Sequence, residues 1–473
     1  MTRAASSSLF FRLGLVLMPP IAVQACSLIN AFDDVKPAVG DASTSGGDGG
    51  DTEAGGGDAS GDGNVSTDAP VVDTGVDAGP EGLVVVAAFQ AAGIVGDASV
   101  PARYVTSVLN AADGKELSRE VLPIMGSIYD EGADLWYLFE AKVTDAPGSS
   151  GPSPDPYAGD SVFVRLRKLA SDGKWTELSR VRVPVPTTTG GNFAAQAAAL
   201  DNRLAYLAFA PDAATPASLV VLDTTDAGAF GDASVDASSW LASELLSVAP
   251  LGITGSRLNG NSDNVTLVQN KCVGTNCQFE LFPMKLPHAS LSIAPRAGGP
   301  VPVGKPYNSG TTPNQAIGAA AYTSPTELFA VPGSATDAGA LLTSYSAVDT
   351  FALSSVPFTT TSATPGQFRS LAVSTCLEAA FVAERIGNSI IAVPLKAGGT
   401  PLQIVASGTV TFEPYTSALL VESSGSVSAF TIAASGNGFS QTARPAFKMP
   451  SDLKAYQVAT RQSLSFPPAK CPK

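Results

Sequence analysis

From Leu83 onward, apolar positions either alternate with polar ones or gather into short runs, and Gly or Pro interrupts them about every dozen residues. The segments LVVVAAFQ, YVTSVLNA and SVFVRLRKL show both patterns. A period of two sends successive side chains to opposite faces of a strand, whereas a helix needs apolar residues at i, i+3 and i+4. That helical spacing is nearly absent here. Residues 82–473 therefore predict an all-β body, large enough for one extensive core or two modest domains.

Repetition narrows the architecture. Ala112-Asp113-Gly114-Lys115-Glu116-Leu117-Ser118-Arg119 returns 59 positions later as Ser171-Asp172-Gly173-Lys174-Trp175-Thr176-Glu177-Leu178-Ser179-Arg180. Each copy reads as a hairpin turn with its outgoing strand. A second turn type appears as Ala297-Gly298-Gly299-Pro300 and as Ala397-Gly398-Gly399-Thr400-Pro401. These strand-turn-strand units resemble bacterial β-propeller repeats. Four-stranded units fit 126–184, 194–250, 251–304, 314–358, 366–406 and 409–446, the third of them awkwardly around LSIAPRAGG. The strands LVVVAAFQ, YVTSVLNA and ELSREVLP, with the C-terminal LKAYQVAT, make one more by pairing the two ends of the chain. Closure of that kind removes exposed sheet edges. The expected fold is an all-β β-propeller of seven four-stranded blades, with six or eight also compatible. Two β-sandwiches would also show short strands, but a period of about 40–60 residues with no linker favours the propeller.

Upstream the composition changes. Residues 1–25 carry Arg3 and Arg12 ahead of a short apolar run broken by Pro19 and Pro20, ending in Val23-Gln24-Ala25 before Cys26. This reads as a cleaved signal peptide, too short to span a bilayer. Eleven of the 42 acidic residues, and none of the 28 Lys and Arg, fall between Pro37 and Val100. That leaves 31 acids against 28 bases elsewhere, so the stretch holds most of the formal net charge of −14. Residues 26–81 have too few apolar side chains to offset ordering entropy and predict a disordered acidic linker. A Gly-rich coil of about 45 residues would reach roughly 35–40 Å. Gly-Asp-Ala-Ser recurs at Gly40, Gly57, Gly96 and Gly231, and the later copies read as loop insertions.

Taken with the Gly-Gly turns, the segment around Cys26 resembles Gram-negative bacterial lipoproteins that join a lipobox and an acidic Gly/Asp-rich stalk to β-propeller-like repeats. The resemblance implies lipidation at Cys26 and, from Ser27, an address at the outer membrane. Gln24 departs from the small or β-branched residue usual at its place, which leaves ordinary signal-peptidase cleavage open. No activity comes with this resemblance.

Export implies an oxidising compartment, where Cys272, Cys277, Cys376 and Cys471 admit three connectivities. Cys272 and Cys277 flank Val-Gly-Thr-Asn, a turn composition, and are expected to face each other, which leaves Cys376 for Cys471. In the chain-entropy account the short bridge contributes about 2 kcal/mol and the long one about 4–5 kcal/mol. A zinc site would need a further CxxC or His pair.

Candidate chemistry is sparse. The single His288 follows Leu286-Pro287 and has no Gly-x-Ser-x-Gly elbow to serve. Gly299 to Lys305 matches a Gly-x4-Gly-Lys skeleton, but Pro300 and Pro302 remove the N–H donors of a phosphate cradle, and Pro306 stands where Ser or Thr would meet Mg²⁺. Asp130, Glu131 and Asp201 lie between first and second strands of successive units and are candidates for a cation such as Ca²⁺. Hairpin chemistry is the ordinary use of such acids. No catalytic residue and no required cofactor emerges.

The long second-to-third connections, Thr144 to Asp160, Pro211 to Ala217, Cys272 to Cys277 and Pro332 to Gly339, would raise one side of a rim. A binding rim is expected there, centred on Pro152, Pro154, Asp155, Pro156 and Tyr157. The expected function is a non-enzymatic, lipid-anchored envelope module for a protein or glycan partner. An exported sugar lyase or hydrolase working through carboxylates, and a structural subunit of an envelope complex, are the alternatives. Nucleic acid is disfavoured, since no basic patch exists to neutralise phosphates.

Overall fold

The computed structural model describes residues 82–90, 93–95, 98–100, 103–130, 133–140, 161–184, 197–200, 203–208, 218–223, 240–245, 250–256, 262–287, 294–295, 299–304, 306–308, 319–324, 327–331, 339–346, 352–359, 368–384, 389–396 and 398–461. Among them every regular element is a strand.

The strands form seven main antiparallel sheets, each built from neighbours in sequence except the one that joins the chain ends. In that closing sheet Leu453–Thr460 pairs with Leu83–Gln90, which pairs with Arg103–Asn110, which pairs with Glu116–Glu120. The second sheet holds Ile124–Asp130, Leu135–Glu140, Ser161–Leu169 and Trp175–Pro184 in sequence order. The third spans 197–245, the fourth 250–308, the fifth 319–359, the sixth 368–404 and the seventh 409–443.

The first strands of successive sheets touch one another around a complete circuit: Leu453–Thr460, Ile124–Asp130, Ala197–Leu200, Pro250–Ser256, Ala319–Ser324, Phe368–Ser374, Thr409–Glu413, and back to Leu453–Thr460. Four-stranded sheets radiating from such a ring are a β-propeller. Its core is a set of layers between consecutive sheets. Phe358 and Phe368 join the fifth to the sixth, Phe381 stacks on Phe412 between the sixth and seventh, and Leu83, Trp136 and Leu138 join the closing sheet to the second. Middle strands are covered on both faces, which is why Ala379–Glu384 and Ile390–Pro394 are wholly buried and read as continuous apolar runs. Outer strands such as Gly438–Ala443 stay largely exposed.

Two features depart from the sequence expectation. The fourth position of the fourth sheet is taken by three fragments, Ala294–Pro295, Val301–Pro302 and Tyr307–Asn308, all pairing with Asn276–Pro287. Pro295, Pro300, Pro302 and Pro306 cannot donate to the ladder, so an unbroken strand is denied there. The Gly96 repeat, read as loop filler, supplies Ala98 and Ser99 to the strand Ala98–Val100, which pairs with Gly93–Val95 as a small hairpin of its own.

Candidate functional site

Chain direction gives the propeller two rims. Connections from second to third strands, and links between sheets, lie on the first rim; the other connections lie on the second. Gln90, Arg103 and Leu453 mark the first rim in the closing sheet, and Val84 and Thr460 the second.

On the second rim, acidic and hydroxyl side chains stabilise turns. Asp130 is buried; its Oδ1 accepts from the Ala133 N–H at 3.2 Å and its Oδ2 from the Tyr137 hydroxyl at 3.4 Å. Ser374 Oγ accepts from the Leu377 N–H in the equivalent turn of the sixth sheet. In the seventh, Glu413 accepts from the Tyr415 and Thr416 N–H groups and from the Thr416 hydroxyl. Four residues after each of these, Asp134, Glu378 and Ser417 adopt positive φ to re-enter the sheet. Asp130, one of the cation candidates, is thus a turn-forming residue among these contacts. Burial raises the Glu413 carboxyl above its ordinary pKa despite its donors.

Third-to-fourth hairpins on this rim dock onto the preceding sheet. Lys448 N–H donates to Asp113 O, Ser118 Oγ donates to Gly173 O, and Thr400 N–H donates to Asn437 O. Gly114 and Gly173 hold φ of 74° and 83°, and a Cβ on them would lie 2.7 Å from the Lys448 backbone and 2.5 Å from Leu117 Cβ. The repeated Asp-Gly-Lys signature is a turn that locks adjacent sheets. Its companion, Glu-Leu-Ser, places Leu117 and Leu178 at register shifts in the outer strands.

Charged side chains form a seam through the closing and second sheets. Arg165 bonds Glu140 at 2.8 Å and Glu177 at 2.5 Å; Arg167 bonds Glu177 at 2.9 Å and Glu120 at 2.5 Å; Arg180 reaches Glu140 at 2.9 Å. Nearby, Arg119 grips Glu116 and Asp452, and Gln90 bridges Arg103 to Asp452. Burial works against the Arg119 charge, but its bonds to Glu116 and Asp452 outweigh this and hold it more firmly protonated; Arg119 in turn lowers the Asp452 pKa.

At the first rim, between the closing and second sheets, lies an aromatic group that sequence reading missed. Phe89 meets Tyr104 edge-on at 5.7 Å, and Tyr104 meets Tyr456 at 5.9 Å. Tyr456 donates its hydroxyl to Ile124 O at 2.5 Å. Burial pushes the Tyr104 hydroxyl up to about 12 and raises that of Tyr456 as well. Ala87 pairs with Gln457 and Ala88 with Ala455, so Tyr456 is the extra residue of a β-bulge. The alternation in LKAYQVAT announces a strand; the bulge depends on register with a segment some 370 positions away.

Of the other sequence candidates, Cys26, Glu131, Asp201, Cys471, His288 and the rim segment Pro152, Pro154, Asp155, Pro156 and Tyr157 lie outside the described residues. Cys272 stands directly opposite Cys277 in the ladder. The expected long Cys272 to Cys277 connection is instead two strands of twelve residues meeting at a two-residue turn, Gly274-Thr275. Cys277 and Cys376 each take part in a disulfide. Among the described residues no group of three or more His, Cys, Asp or Glu is placed to hold a metal ion.

No family model matches the sequence, and no curated protein does. Solved structures are similar in fold. A "putative 6-phosphogluconolactonase" from Bacteroides uniformis superposes with a TM-score of 0.50 at 11% identity, over 80% of this chain and 99% of its own. The Dos1 propeller (TM-score 0.37, 11% identity, 69% of this chain and 74% of its own) and TolB from Acinetobacter baumannii (0.33, 10%, 66% and 60%) are more distant. At these identities the likeness is one of architecture, and the chain is a β-propeller protein.

Proposed function

We propose that this chain is a lipid-anchored protein of the Gram-negative outer membrane, a seven-bladed propeller that acts without catalysis and binds a protein or glycan partner through its first rim. In this reading Cys26 carries the anchor, residues 26–81 form the tether, and Cys272–Cys277 and Cys376–Cys471 are the bridges. The observation that carries the non-enzymatic part is how the described carboxylates are used. Asp130 and Glu413 accept from turn N–H groups, while Glu140, Glu177 and Asp452 are held by arginines. A glycosidase presents two carboxylates to one substrate across a gap of about 5–10 Å; each of these faces a partner within the scaffold. The likeness to the Bacteroides protein, at 11% identity, brings no substrate with it.

Intact mass of the membrane-extracted protein beside a Cys26→Ala variant tests the anchor. A lipid-sized increment that vanishes in the variant is expected. A bare mature N-terminus in the soluble fraction would overturn the anchor and favour a secreted molecule.

A further inference from the structure

Tyr456 is oriented against the habit of surface tyrosines. Such residues bury the ring and keep the hydroxyl wet, because the ring is the apolar part. Here the hydroxyl is turned inward onto Ile124 O, while the residue stays 40% exposed. Among the residues whose side chains are described, the exposed large apolar ones are otherwise aliphatic: valines and leucines. The ring is also held firmly. It sits in a bulge on an innermost strand, tied at one end by its hydrogen bond and braced edge-on by Tyr104, which Phe89 braces in turn. An apolar face presented to solvent at fixed orientation suits stacking on a flat, weakly polar partner.

We propose that Tyr456 is a stacking platform for a saccharide ring at the first rim. The aromatic face carries the negative end of the ring quadrupole and attracts the C–H face of a pyranose. A hydrogen-bonding group for sugar hydroxyls stands nearby: Lys454, exposed on the same strand, lies opposite Phe89 in the ladder. A proline-rich peptide is the poorer fit, since it docks in grooves lined by several aromatics, and Tyr456 is the one exposed aromatic among the residues whose side chains are described. The proposal deepens the binding-module reading by naming its ligand class, and it is independent of the anchor.

The test uses the full mature chain against arrayed hexose, N-acetylhexosamine and uronate oligosaccharides, with a proline-rich peptide alongside. Binding to at least one saccharide class is expected, weakened about tenfold or more by Tyr456→Ala and largely kept by Tyr456→Phe, which retains the ring. Hydroxyl-radical footprinting of the unaltered protein should show Tyr456 protected by the bound sugar, a readout that needs no variant to fold. Binding of the peptide alone, binding of no saccharide, or a bound saccharide that leaves Tyr456 unprotected would overturn the proposal. Equal losses in the Ala and Phe variants would overturn it too, by making the hydroxyl contact the operative one. The mass of the Cys26 region reports separately on the anchor, so the two readings fail by different measurements.

Discussion

Single residues set the tolerance of the second rim. Gly114 and Gly436 both hold positive φ, 74° and 58°, yet a Cβ on Gly114 would meet the Lys448 backbone at 2.7 Å while one on Gly436 meets nothing within 4 Å. Gly436→Ala should therefore cost only the left-handed penalty, about 1 kcal/mol. Gly114→Ala adds a backbone clash that its side chain cannot relieve, and should cost about 3 kcal/mol in denaturant unfolding. Equal losses at the two sites would deny that the hairpin is locked onto the seventh sheet's outgoing chain. Charge at Asp452 gives a second test. Its pKa is lowered, first by the Arg119 hydrogen bond, so its contribution is fully present above the unfolded value near 3.8 and is lost as pH falls through the lower folded value. Asp452→Asn should cost under about 1 kcal/mol near pH 7, because the carboxylate is partly exposed and screened. The difference from the unaltered protein should vanish in strong acid. Glu413 works in the opposite sense: with its folded pKa raised by burial, whatever it contributes when protonated is lost as pH rises.

At the level of elements, the sequence was legible where a strand's environment is simple. Ala379–Glu384, up to its final Glu384, and Ile390–Pro394 are wholly apolar because neighbouring sheets cover both faces, and unit boundaries drawn from such runs fall within a few residues of those observed. It was illegible where pairing partners decide the outcome. Prolines near 295–306 scatter an outer strand into fragments, the Gly96 repeat has a composition shared with the linker, and the Tyr456 bulge is a property of register. Asp130 was legible as turn chemistry, whereas its Tyr137 contact was not. The long hairpin Ser262–Val273 and Asn276–Pro287 lies between these cases, since its turn was expected and its length was not. With Cys272 opposite Cys277 in the ladder, peptide mapping without reductant should recover the two in one linked fragment. Cys272→Ser with Cys277→Ser should then cost about 2 kcal/mol, the chain-entropy value for so short a loop. A fragment linking either cysteine to Cys376 would reject that pairing.

For the whole molecule, the decisive contact is the pairing of Leu453–Thr460 with Leu83–Gln90. It supplies the closing sheet with its innermost strand, and Tyr456 and Arg461 add side-chain bonds to Ile124 and Leu169 of the second sheet. Val84 stands opposite Thr460, so the two ends of the folded body emerge side by side on the second rim. In a closed ring no particular inter-sheet connection is indispensable, because every sheet has a neighbour on either side. A circular permutant that joins Arg461 to Gly82 through a short Gly/Ser linker, and opens the chain between Asn308 and Ala319, keeps every observed ladder intact. Because it omits Cys471, it should unfold in one cooperative transition with a midpoint close to that of a Cys376→Ser, Cys471→Ser variant in the native chain order. Deleting residues 453–473 is the contrasting case. It strips the innermost strand from the closing sheet, exposes the Leu83–Gln90 edge, and should yield aggregation or a non-cooperative transition. A permutant that fails to fold beside a deletion that folds well would show that the chain order, and not the closed ring, organises this propeller.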